Sequence, residues 1–388
     1  MRYRYQLIIL GTTGQLSDEI ISLFSDTVKD LQMLQDAFTT ITEHNFSKDY
    51  TGKQPAFAIY FGDKEGSFTN LDIVDRLITD GTSILPVFYN SFSKEIPKSL
   101  ENQNGLLYDS TKNAKIVNLA LESFGKLRNT RKVFISYKRD ESSSVAIQLF
   151  EALEKNNFDV FLDTHSIKQG EPFQQELWHR MADCDVIVLL NTPGFLTSRW
   201  CKEEIAEASA TQIGVIHLIW PNHKLENTSE VCFPILLKEL DFEPNTFINK
   251  DISKLVSGIV NQIVEEVESV RARNLAARQD NLITEFISIA QKHKKTLNLQ
   301  PERFITEDLD NDTRRIFFPL VGIPQSIDCN QSANLKHEIT EFNVEEVYLI
   351  YDDVRIREKW VKHLDWLNEY LVVKTIKKQE FDKWLQMN

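Results

Sequence analysis

Basic residues are in short supply. Forty-four Lys and Arg stand against 57 Asp and Glu in 388 residues, a formal net charge of -13. A diffuse acidic surface argues against nucleic acid or an anionic membrane as the main partner. Cysteine is scarce as well: Cys184, Cys201, Cys232 and Cys329 form no CxxC pair. Free, buried thiols in a reducing cytosol are the plain reading. No apolar run reaches eighteen residues, which excludes a membrane-spanning helix. The opening MRYRYQLIILGTTG has too short an apolar part for a signal peptide. No low-complexity linker separates parts of the chain, so packed neighbours are expected in place of beads on a string. What remains is a soluble, cytoplasmic protein. At 42% hydrophobic residues it has enough apolar material for real cores, and its length suggests two or three domains, at roughly 100–200 residues each.

Apolar runs divide the chain into three α/β regions, 1–128, 129–272 and 273–388. In the first, Gln6–Leu10, Ala56–Phe61 and Ser83–Tyr89 read as buried strands, with Leu71–Ile78 at helical spacing between the last two. The Gly11-Thr12-Thr13-Gly14 turn after the first strand could cradle a phosphate at a helix N-terminus. It lacks a P-loop Lys and a third dinucleotide Gly, so a plain strand-to-helix turn is preferred. The middle region alternates most clearly. Val133–Tyr137, Phe158–Leu162, Asp185–Leu190 and Val215–Trp220 read as strands. Ser142–Glu154, Glu171–Met181, Thr197–Ala210 and Ile252–Arg271 read as helices, with Ser142 to Ser144 available as N-caps. This alternation predicts a parallel sheet covered on both faces, with ligands beyond the carboxyl ends of its strands. In the last region, Asn274–Lys294 and Arg355–Leu367 read as helices and Ile316–Ile323, Val347–Tyr351 and Tyr370–Ile376 as strands. Val133 to Val160 and Val347 to Val373 are 27 and 26 residues apart, a hint of a degenerate repeat that any βαβ unit would also give.

The most informative local feature is the run Ser198-Arg199-Trp200-Cys201-Lys202-Glu203-Glu204-Ile205. Trp200 and Glu204 are one helical turn apart and share a face. A lone Glu on a helix is ordinarily solvated and a lone Trp ordinarily core, so the pair gains meaning only from its surroundings. Cys201 has no His within one turn to activate it. His217, inside VIHLIW, reads as a satisfied core residue, and Trp178, at apolar helical spacing with Leu177 and Met181, as core or inter-subunit packing.

Those surroundings are KVFISYKRDESSS, FDVFLDTHSIKQGEPF and DVIVLLNTPGFLTSRWCKEEI. Three boxes in this order and spacing, over about a third of the chain, resemble a bacterial Toll/interleukin receptor (TIR) domain of the NAD-cleaving type. The resemblance implies a flavodoxin-like parallel α/β domain flanked by two further α/β regions, each open to reading as a degenerate TIR-like domain. It also implies that Asp163–Phe173 is the mobile BB loop and that Glu204, not Glu203, is the catalytic carboxylate. NAD+ is then substrate, with no cofactor and no metal. The substrate-binding residues implied are Trp200, Ser136, Tyr137, Lys138, Arg139, Asp163 and Lys168. One carboxylate suffices chemically. Ordinary glycoside hydrolysis needs a second to protonate a poor leaving group, whereas the pyridinium of NAD departs as neutral nicotinamide. The remaining carboxylate stabilises positive charge on the ribose or activates water. Trp200 offers an aromatic face, and residues 136–139 a place for phosphates. The expected reaction yields nicotinamide and ADP-ribose or a cyclic isomer. The expected setting is anti-phage defence, with activation by TIR self-association and an upstream sensor protein or nucleotide signal as candidate partners. The alternatives are a non-enzymatic scaffold and a nucleotide sensor; retention of WCKEE favours the enzyme.

Overall fold

The computed structural model describes residues 5–388 except 32, 34, 53, 55, 125–129, 163–172, 196–212, 224–231, 301–302, 310–312 and 339–341. The chain divides into two compact units, Met1–Asn129 and Thr130–Asn388.

The first unit is a sheet of β1 (Tyr5–Gly11), β2 (Phe38–Ile41), β3 (Ala56–Phe61), β4 (Ser83–Phe88) and β5 (Leu106–Leu107), in the order β2-β1-β3-β4-β5 and parallel throughout. One face packs the helix Leu71–Thr79 through Val74 and Leu77. On the other, Phe124, which closes the helix Asn113–Ser123, meets Tyr5, Phe24, Phe38 and Phe57 at ring separations of 5.4–6.4 Å. The first two amides of the Gly11–Gly14 turn are spent internally. Gly11 N–H donates to Asn70 Oδ1 and Thr12 N–H to the Phe61 carbonyl, each at 3.0 Å. Gly11 sits at φ 86°, and a Cβ there would collide with the Phe61 carbonyl. The glycine is required by close strand approach, the structural role preferred for this turn.

The middle sheet repeats that order: β7 (Asp159–Leu162), β6 (Lys132–Ser136), β8 (Val186–Asn191), β9 (Gly214–Ile219) and β10 (Cys232–Leu236), again all parallel. Side chains alternate along each strand, so each strand serves two cores. Val133, Ile135, Val186, Val188, Leu190, Ile216 and Leu218 face the helices Arg139–Lys155 and Ser257–Lys292. Phe134, Ile187, Leu189 and Val215 face the helix Phe173–Ala182 through Leu177 and Met181. Strands buried on both faces are the reason these segments read as continuous apolar runs.

The third sheet is different. β11 (Leu297–Leu299), β12 (Ile305–Asp308) and β13 (Thr313–Leu320) pair antiparallel, and β14 (Asn343–Tyr351) and β15 (Lys374–Lys377) continue in parallel. The 26-residue spacing therefore reflects one parallel strand–helix–strand unit. Of the two outer sheets, only the first repeats the order of the middle one.

Residues 257–292 form one helix across the expected 272/273 boundary, where two were expected. Beyond Gly258 that span has neither Gly nor Pro to stop it. Val260, Ile263, Val264, Val267 and Val270 complete the middle core, and Leu282, Ile283, Phe286 and Ala290 complete the last one. Two other expectations are corrected by local backbone. The helix placed at Arg355–Leu367 spans Glu358–Tyr370, because Arg355 is left-handed (φ 66°) and Arg357 extended. Tyr370 then belongs to that helix, which shortens the last strand to Lys374–Lys377.

Candidate functional site

Three segments that are far apart in sequence leave neighbouring strands. β6 lies between β7 and β8, so the chain after Ser136, after Leu162 and after Asn191 departs from three adjacent carboxyl ends. This is the edge at which an open parallel sheet binds ligands. Asp163 and Lys168 belong to 163–172, and Trp200 and Glu204 to 196–212, so these four lie outside the described residues. The ends of the second segment are anchored. Phe195 and Ile213 are buried in the same cluster as Phe134, Leu189 and Val215.

The other four candidates are described. Ser136 and Tyr137 are buried, Tyr137 against Val145 and Leu149 in the core. They hold the turn after β6 in place. Lys138 is partly exposed and Arg139 exposed. The helix begins at Arg139, earlier than expected, and breaks at Ser142 (φ -148°, ψ 19°). Ser142 Oγ donates back to the Lys138 carbonyl at 3.3 Å and Ser143 Oγ to that of Arg139 at 2.7 Å. These serines satisfy carbonyls and do not cap amides. Asp140 and Glu141 occupy the first turn, where negative charge suits the helix dipole and offsets the charge of Lys138 and Arg139.

Glu141 was not anticipated. Its carboxylate accepts from Lys138 Nζ at 2.7 Å and from Gly194 N–H at 2.9 Å. Burial opposes its charge. Donation by Lys138 and the Gly194 amide, with the Thr192 hydroxyl close by, outweighs burial and holds the carboxyl at about 2. It is ionised at any working pH, and both oxygens are engaged.

Residues 133–242 match the TIR domain family model. The middle of this chain is a TIR domain. A curated relative, the 2' cyclic ADP-D-ribose synthase BtTIR of Bacteroides thetaiotaomicron, is 24% identical over 171 residues, covering 42% of this chain and 58% of the relative. The chain thus matches little more than half the length of that protein. Two solved structures share weak likeness. Proximal thread matrix protein 1 of the mussel byssus is 10% identical, with TM-score 0.22, over 69% of this chain and 96% of its own. Tagatose-6-phosphate ketose/aldose isomerase from Escherichia coli is 12% identical, with TM-score 0.20, over 71% and 82%. Likeness at that level bears on neither fold nor function.

Within the TIR domain, His217 is fully buried, but neither ring nitrogen has a partner among the described residues; the Asn191 amide is likewise unpaired. His217 is therefore buried as expected but not satisfied. It occupies a mid-strand position opposite Leu189 on an apolar face. Burial, with a smaller contribution from His223, pushes its pKa down to about 4.

The helix Phe173–Ala182, which follows directly on 163–172, is gripped by the C-terminal region. Arg357 pairs with Glu176, and its backbone N–H donates to His179 Nδ1 at 3.4 Å. Trp360 stacks on His179 at 5.6 Å, and the Arg355 guanidinium lies 4.3 Å from the Trp178 ring. Ile323 N–H donates to Asp183 at 3.0 Å. From the long helix, Arg278 donates to the carbonyls of Cys184 and Ala182 at 2.9 and 3.2 Å, a favourable place for a cation at a helix C-terminus. Trp178 is thus packed within the chain, against the core that holds Phe134 and Leu189 and beneath Arg355. Contacts between residues about 180 positions apart leave no mark on local sequence pattern. No helix among the described residues is long and apolar enough to cross a membrane, and no metal-binding cluster occurs among them.

Proposed function

We propose that this chain cleaves NAD+ at the nicotinamide–ribose bond, releasing nicotinamide and ADP-ribose or a cyclic isomer. The observation that carries the reading is the position of Trp200 and Glu204, one helical turn apart in sequence, inside the span that matches the TIR family. The name of the Bacteroides relative supports the same chemistry. Glu204 is the catalytic carboxylate, stabilising charge on the ribose as the neutral leaving group departs. Trp200 supplies an aromatic face. Lys138 and Arg139 meet the diphosphate, and Asp163 and Lys168 act from the loop between β7 and the helix Phe173–Ala182. Ser136 and Tyr137, being buried, serve by shaping the turn that presents Lys138. NAD+ is the substrate, and the reading calls for no further cofactor.

Assembly through TIR–TIR contacts raises activity in this reading, in keeping with an effector of anti-phage defence or a generator of a nucleotide signal. The outer regions act as controllers. The grip of the C-terminal region on the helix after 163–172 gives that control a physical route.

The deciding experiment is incubation of the purified protein with NAD+, dilute and crowded, with products resolved by chromatography. Nicotinamide release that Glu204→Gln abolishes is the expected result. Intact NAD+ under both conditions would remove the enzymatic reading and leave a scaffold.

A further inference from the structure

Glu141 occupies a place that the proposed chemistry does not use. Its side chain is 15% exposed, and it joins two turns: Lys138 Nζ donates to one oxygen and Gly194 N–H to the other. The first turn follows β6, the second follows β8, and these strands are paired in the centre of the sheet. The helix break at Ser142 sets the short turn 139–141 apart from the rest of the helix. A second observation points the same way. A Cβ at Gly194 would meet the Glu141 carboxylate and the Lys138 ammonium, so any side chain there would have to push the bridge aside. Directly after it, Phe195 is fully buried, its N–H bonded to the Thr192 carbonyl at 2.9 Å. The chain that enters 196–212 is therefore fixed on one side by the core and on the other by Glu141.

We propose that Glu141 is a positioning residue that locks the turn carrying Lys138 against the turn leading into residues 196–212. It thereby sets the register between the cationic side of the site and the segment that bears Glu204. The geometry stands on its own; the consequence for turnover rests on the NAD-cleaving reading. Charge-assisted bonds of this kind are roughly twice as strong as neutral ones, and a misplacement of about 1 Å can cost roughly 100-fold in rate.

The test uses the full-length protein with Glu141→Ala, Glu141→Gln, Gly194→Ala and the Glu141→Ala/Gly194→Ala double variant. Glu141→Ala lowers kcat about tenfold or more, with KM within about twofold. Glu141→Gln, which keeps an acceptor for the Gly194 amide, retains more. Gly194→Ala alone lowers kcat, but adds nothing in the Glu141→Ala background, where the carboxylate it would strike is gone and the Lys138 ammonium is the free end of a flexible chain. Amide hydrogen exchange over residues 192–195, a readout that needs no NAD+, speeds in Glu141→Ala and less in Glu141→Gln. Wild-type kcat in Glu141→Ala, additive losses in the double variant, or unchanged exchange would each overturn the proposal. So would a lower melting temperature with kcat per folded molecule unchanged. If the wild-type protein does not cleave NAD+, the functional reading fails, and the exchange data alone decide whether the lock exists.

Discussion

Glu203 and Glu204 are chemically identical neighbours, about 100° apart around any helix they share. In the proposed reading the catalytic role falls on Glu204, the position that the TIR resemblance carries over. Glu204→Gln is therefore expected to abolish NAD+ cleavage without lowering the melting temperature, and Glu203→Gln to keep most activity, measured as nicotinamide release. Equal behaviour of the two variants would refute the assignment. Glu204 is proposed from sequence because the order and spacing of the three boxes are properties of the linear chain. Glu141 could not be found that way. It is one of several acidic residues near a helix start, and its partner Gly194 is 53 positions away. His217 was legible as a core residue from VIHLIW, but its lack of a partner was not, because hydrogen-bond satisfaction depends on what the neighbouring strand presents.

The helix Phe173–Ala182 shows the same division one level up. Its apolar spacing reveals the face that Leu177 and Met181 turn to the sheet. Glu176 and His179, which no apolar spacing marks, are held by the C-terminal region, and Trp178, expected as core or inter-subunit packing, lies between that core and Arg355. Burial works against the charge of Glu176, but Arg357 and Arg180 outweigh it and keep its carboxyl below the usual range. Arg357→Ala removes one of two cationic partners of a nearly buried carboxylate and should cost about 1–3 kcal/mol. Thermal unfolding gives the size. Faster amide exchange in 173–182, with an altered dependence of NAD+ cleavage on protein concentration, is the expected signature. Unchanged exchange would mean that the grip contributes nothing to that helix. The long helix Ser257–Lys292 carries a related lesson. Two amphipathic segments were visible, but a single unbroken rod serving two cores is a property of both sheets it packs against.

For the whole molecule, acid is the informative variable. His179 and His217 are both buried and pushed down to about 4 from an ordinary 6.5. Between those values the unfolded chain binds protons that the folded chain refuses. Their contribution to stability is full above about pH 6.5 and is lost as pH falls through that window. The melting temperature should decline from pH 6.5 to 4, and His217→Leu should flatten the decline while raising stability at neutral pH, since it removes an unpaired buried group. A pH-independent melting temperature across that window would contradict both assignments. Assembly is tested by dilution. Turnover per molecule should rise with protein concentration, and Gly170→Pro, which would stiffen the glycine hinge that the TIR resemblance implies for Asp163–Phe173, should impair assembly and turnover together. Constant specific activity over a wide dilution series would sever that link.

Composition and apolar periodicity by themselves determined the class of this protein. Strands buried on both faces must be apolar throughout, and helices packed on one side must repeat at 3.6 residues. The three-box order is equally a property of the linear chain, so the TIR domain was readable before any coordinate. The tertiary structure decided what depends on meetings between distant residues. The first sheet repeats the strand order of the TIR sheet while the third does not. The first glycine of the GTTG turn serves close strand approach. A carboxylate near a helix start ties two turns of the site together, and the C-terminal region holds the helix Phe173–Ala182. Each of these is set by strand pairing and side-chain burial across separations of tens to almost two hundred residues, a range over which local spacing carries no information.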